Sequence, residues 1–162
     1  MKEYLSIQRN GLLKTYKELL LIDEKTAAVK EAGKWSIKEI MGHLVDSASN
    51  NHQRFIRVRM QDNLVFAEYD QDEWVKYGGY QDLQWKIILD CWLNLNLIII
   101  KVILNLPESI LKEERTEHNL DQIAWKTVPK TKPASLEYFI KDYYEHLYHH
   151  LEQVRKKTVT LQ

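Results

Sequence analysis

The sequence predicts an all-α fold, a four-helix bundle with long inter-helix connections, and three observations carry that expectation. Long segments place apolar residues at the three- and four-residue spacing of helices buried on one side. With 44% apolar residues and only 5 Gly and 3 Pro, the composition favours continuous helices over a turn-rich sandwich or a disordered chain. Between those segments the helical period lapses for long stretches, which in a bundle means connections that cross it or shape a pocket. At 162 residues the chain can enclose a proper core, and one domain is expected over residues 1–162.

Leu12, Leu13, Tyr16, Leu19 and Leu20 predict a first helix from about Tyr4 to Asp23. Residues 24–35, with Gly33, predict a short turn or loop. The clearest start signal follows: Ser36 and Glu39 form a Ser-x-x-Glu capping box, with Trp35 and Ile40 at the positions of a hydrophobic staple. The second helix begins there and runs to about Met60, with Ile37, Ile40, Met41, Leu44, Ala48, Phe55 and Val58 on its buried face. Between Gln61 and Gln81 the period breaks. Gly78 and Gly79 mark a turn, and Tyr69, Trp74, Tyr77 and Tyr80 are candidates for a lid over one end of the bundle.

Asp82 is read as the cap of a third helix that stops before Pro107, with Ile87, Cys91, Leu95, Ile98 and Val102 as its core stripe. Trp92, Ile99, Ile100 and Ile103 spread apolarity over the rest of its surface. Four helices cannot cover every side of such an element, so a homodimer involving the third helix is expected. The connection from Pro107 to Pro133 holds His118, read as an ordinary loop residue. Ser135 then caps a fourth helix to about Lys157, with Leu136, Ile140, Tyr143, Leu147, Leu151 and Val154 as its stripe.

The fourth helix carries three of the six histidines. At about 100° per residue, His150 lies about 60° and His146 about 100° to one side of Leu147, so they share a flank one turn apart while His149 points away. Two imidazoles at i and i+4 can grip one metal ion. On the second helix His43 occupies the matching flank, about 100° from Leu44, and becomes the natural third ligand if the two flanks pack together. Ser47, Asn50 and Arg54 lie beside it.

Composition narrows the partners. Lys plus Arg equals Asp plus Glu at 23 each, which gives no basic surface for nucleic acid. The single Cys91 has no disulfide partner within the chain and is read as a buried small hydrophobe. The start of the sequence does not read as a signal peptide, and the most apolar run, Ile87 to Ile100, is interrupted by Asp90, Asn94 and Asn96. A cytoplasmic protein with neither nucleic-acid nor membrane partners is therefore expected.

Residues 34–47 (KWSIKEIMGHLVDS), followed by NHQRF at 51–55, resemble the second-helix signature of DinB-like proteins, and DYYEHLYHHL at 142–151 resembles their terminal histidine motif. The resemblance extends over nearly the whole chain. It implies a DinB-like four-helix bundle, commonly dimeric, with a divalent metal on one histidine of helix two and two of helix four. Those positions match His43, His146 and His150. Zn²⁺ or Ni²⁺ are the first expectations for the metal, with Fe²⁺ and Mn²⁺ also compatible. Glu39, Asn50, Arg54 and Tyr143 are candidates to support the ligands or touch substrate. The resemblance implies a metal-dependent enzyme, in its sharpest form one transferring a low-molecular-weight thiol to an electrophile. The alternatives are a metal-dependent hydrolase and a non-catalytic, metal-stabilised ligand-binding dimer.

Overall fold

A computed structural model describes residues 1–161 of the chain. Four long helices form the bundle: α1 (Lys2–Leu19), α3 (Ile37–Arg57), α5 (Trp85–Leu104) and α8 (Leu136–Leu161). Short helices sit in the connections: α2 (Glu24–Ala28), α4 (Gln71–Gly78), α6 (Glu108–Lys112) and α7 (Leu120–Ile123). A two-residue antiparallel pairing joins β1 (Glu114–Arg115) to β2 (Ala134–Ser135) just before α8. This is the all-α four-helix bundle with long connections that the sequence predicts.

α1 ends at Leu19 rather than near Asp23, because Asp23 caps α2 instead, its carboxylate accepting the backbone N–H groups of Lys25 and Thr26. α3 starts as expected: the Ser36 hydroxyl accepts the Glu39 N–H at 3.1 Å, and Glu39 accepts the Ser36 N–H at 2.8 Å. All seven residues of its predicted stripe are buried. α8 likewise buries its whole predicted stripe, and the Ser135 hydroxyl accepts the Tyr138 N–H at its start.

α5 departs from expectation in two ways. Asp82 lies in a preceding 3₁₀ turn and the helix starts at Trp85, whose N–H donates to Glu24. The buried face is Ile88, Leu89, Trp92, Asn96, Ile99, Ile100 and Ile103, whereas Ile87, Cys91 and Ile98 of the predicted stripe are exposed. With a mean hydropathy of 2.1 in its most apolar window, periodicity alone cannot choose a face. A polar contact marks the side that faces inward: Asn96 is buried, accepting the Tyr143 hydroxyl at 2.7 Å and donating to Trp92 O. By length and composition α5 is the one described helix long and apolar enough to cross a membrane, a property the sequence reading set aside.

α3 and α8 run antiparallel. His43, near the start of α3, faces His146 and His150, while Phe55, near its end, packs edge-on against Phe139 and Tyr143. The two long connections lie together over this pair. Asn119 clips them, accepting the Phe66 N–H and donating to the Phe66 carbonyl, and Leu64 donates its N–H to Glu117 O. His118 is a further pin rather than a ligand: its Nε2–H donates to Lys132 O at 2.7 Å and its Nδ1 accepts the Leu120 N–H.

Gly42, next to His43, has no room for a side chain. A Cβ on Gly42 would stand 2.1 Å from the ring of Tyr80, whose hydroxyl is held by Asp46 at 2.5 Å. Gly42→Ala is expected to destabilise the protein by about 1–3 kcal/mol or more through overpacking. Urea denaturation checks this, and an unchanged midpoint contradicts the close approach of Tyr80.

Candidate metal centre

Residues far apart in sequence place three imidazoles together. His146 Nε2 lies 3.2 Å from His43 Nε2 and 3.0 Å from His150 Nε2. The three nitrogens that could serve as ligands lie within 4.8 Å of one another. Metal–nitrogen bonds of about 2.0–2.1 Å place neighbouring ligands about 3.0–3.4 Å apart, so the spacing fits one divalent ion on three nitrogens. The cluster is therefore capable of coordinating such an ion.

Burial keeps these rings neutral, which is the form that ligates. Desolvation first, and then the neighbouring His150, pushes His43 down to about 3. His146 is also held down to about 3, chiefly by desolvation with the other histidines adding, and His150 is lowered by the same cause. His150 is further oriented by Gln153, whose Oε1 lies 3.0 Å from His150 Nδ1. With Nδ1–H donated to that oxygen, the Nε2 lone pair faces the cluster. Gln153 in turn lies 3.0 Å from His149, which is exposed and outside the cluster.

Two tryptophans flank the rings. Trp35 stands 5.2 Å from His43, and Trp125 stands 5.4 Å from His146. Trp125 is held by Asp142, whose carboxylate accepts the backbone N–H groups of Trp125 and Lys126 at 2.8 and 2.7 Å. Beyond His43 and His146 opens a cavity of about 240 Å³, walled by α3, by α8 and by the two clipped connections.

The four residues suggested as supports take different places. Arg54 and Tyr143 line the cavity. Tyr143 does so with its ring, since its hydroxyl is spent on Asn96. Glu39 belongs to the helix cap and pairs with Lys30 at 2.5 Å, leaving neither oxygen for the histidines. Asn50 donates to Asp46 O and lines a separate groove with Gln53 and Arg57, so Asn51, one residue on, is the asparagine that faces the cavity. Of the predicted lid only Tyr69 lines the cavity: Tyr80 is buried against Asp46, whereas Trp74 and Tyr77 are exposed. Gln153, Trp125 and Asp142 were missed by the sequence reading. The i,i+3 spacing of His150 and Gln153 was a signal for the first; nothing local announces the other two.

The sequence profile of the DinB superfamily matches residues 4–154. No functionally curated protein shows significant sequence similarity. Among solved structures, YfiT from Bacillus subtilis, described as a probable metal-dependent hydrolase with an unusual four-helix bundle topology, superposes with a TM-score of 0.80 at 15% identity. The match covers 99% of this chain and 86% of that one, and at this identity it establishes the shared fold.

Neutral buried imidazoles also set a pH dependence. His43 and His146 regain their ordinary value of 6.5 on unfolding. Between about 6.5 and about 3 the unfolded chain thus binds more protons than the folded one, and metal-free protein loses stability as pH falls through that window. The slope is up to about 1.4 kcal/mol per pH unit for each such ring. Urea midpoints of metal-free protein at pH 7.5, 6 and 5 should fall, and fall less steeply in His43→Leu. A flat profile in the wild type contradicts neutral burial.

Proposed function

From a chain that belongs to the DinB superfamily and gathers three neutral imidazoles at the end of a cavity, we propose a metal-dependent hydrolase acting on a small substrate. The observation that carries this reading is the convergence of His43, His146 and His150 Nε2 beside a cavity that two of them line. A divalent ion held there would polarise an acyl or related group and lower the pKa of water. Three protein ligands leave coordination positions free, the mark of a reactive rather than a closed site.

The chain's own residues supply the rest. Gln153 keeps the His150 lone pair aimed at the cluster. Asp142 holds the Trp125 backbone so that the ring covers His146 and restricts water from that side. The description of YfiT supports hydrolysis ahead of thiol transfer, the first expectation from the sequence. For the exposed apolar side of α5, with Ile87 half-exposed at 50% and Ile98 at 48%, we propose a second copy of this chain as partner. Light scattering that finds only monomer at micromolar concentration contradicts that assignment.

Protein reconstituted with Zn²⁺ or Ni²⁺ should retain about one ion per chain and hydrolyse members of an ester and amide panel. His146→Ala should lose both the ion and at least about 10²-fold in kcat/KM, and Gln153→Leu should weaken metal affinity about 10- to 100-fold. Stoichiometric metal without hydrolysis across the panel, but with saturable binding and transfer of a small thiol, would replace hydrolysis by thiol transfer.

A further inference from the structure

The cavity has a second polar end that the metal centre does not explain. Arg54 is only 6% exposed, yet it lines the cavity and makes one hydrogen bond, from its guanidinium to Ala67 O at 2.7 Å. Among the described residues no carboxylate lies within 4.0 Å of it, Glu68 at the cavity wall included. It stands over the rings of Tyr69 and Phe139, 5.8 and 5.9 Å away, and also borders the groove beside Asn50 and Arg57. A guanidinium carries five N–H donors; one is used here, and Glu68 acts on the group only through space, from beyond ion-pair distance. Buried arginines are ordinarily paired.

Helix geometry relates this cation to the histidines. From His43 to Arg54 is eleven residues, about 16 Å of rise and a turn of only about 20° beyond three revolutions, so both residues sit on one stripe of α3. Ser47 and Asn51 lie between them and also line the cavity. Asn51 donates its amide to Ser47 O, while its Oδ1 is buried with no hydrogen-bond partner. The stripe therefore carries a cationic fork at one end, a buried acceptor without a partner in the middle and imidazole nitrogens at the other end.

We propose that Arg54 is an anion subsite and that the substrate is a small carboxylic acid, its carboxylate on Arg54, an N–H on Asn51 Oδ1 and its reacting group beside His43 and His146. Acylated amino acids have this order of groups. The assignment of the reacting end rests on the hydrolase reading; the anion subsite does not. Guanidinium and carboxylate pair through two parallel hydrogen bonds, which a methyl ester cannot reproduce.

The test is calorimetric titration of Zn²⁺-reconstituted protein with N-benzoyl ω-amino acids of two to six carbons and with their methyl esters. At least one acid should bind about tenfold or more tightly than its ester. Arg54→Gln should abolish that preference, Arg54→Lys should keep part of it, and Asn51→Ala should weaken acid and ester alike. His146→Ala, which loses the metal, should keep the preference. Acid and ester binding equally, no member binding, or a preference that survives in Arg54→Gln would each overturn the proposal. If Arg54→Gln fails to fold by circular dichroism, the wild-type acid–ester comparison and Arg54→Lys still decide. A preference for the acid with no hydrolysis of any member would support the anion subsite and count against the hydrolase reading.

Discussion

The antiparallel contact between α3 and α8 is the constraint on which the rest of the structure depends. At one end it is aromatic, with Phe55 edge-on to Phe139 and Tyr143. At the other it is imidazole, with His43 against His146 and His150. Close-packed aromatic rings tolerate little sliding, so the first contact fixes the register that the second requires. A shift of one turn along either helix, about 5.4 Å, would take His43 out of reach of its partners.

Polar groups are buried along this contact at appreciable cost. Three imidazoles give up protonation to sit there. Arg54 gives up most of its hydration a few turns away. Other buried polar groups make structural bonds: Asn96 with Tyr143, Asp46 with Tyr80 and Lys38 with the carbonyls of Gln81 and Leu83.

The long connections convert this stripe into a cavity. They contain little regular structure, but reciprocal hydrogen bonds between Asn119 and Phe66 and the loop histidine His118 hold them as one wall. Asp142 attaches that wall to α8 one turn before His146. The segment that sequence periodicity describes least is thus fixed by side chains reaching across more than fifty positions, as the Asn119 to Phe66 pair does.

By itself the sequence determined the helices of strong amphipathic period, the capping box at Ser36 and the flanks on which His43, His146 and His150 lie, because each is a property of neighbours within a few turns. It suggested the histidine triad through its local motifs. What only the tertiary structure decided was which face of α5 turns inward, that Cys91 is exposed, that Asn51 rather than Asn50 meets the cavity, and that Glu39 is confined to its cap. On an almost uniformly apolar helix there is no periodic signal to read, so a single buried hydrogen bond from Tyr143 to Asn96 marks the inward face. Gln153, Trp125 and Asp142 acquire their roles only from contacts made after folding, since hydrogen-bond geometry between distant segments leaves no trace in local sequence spacing.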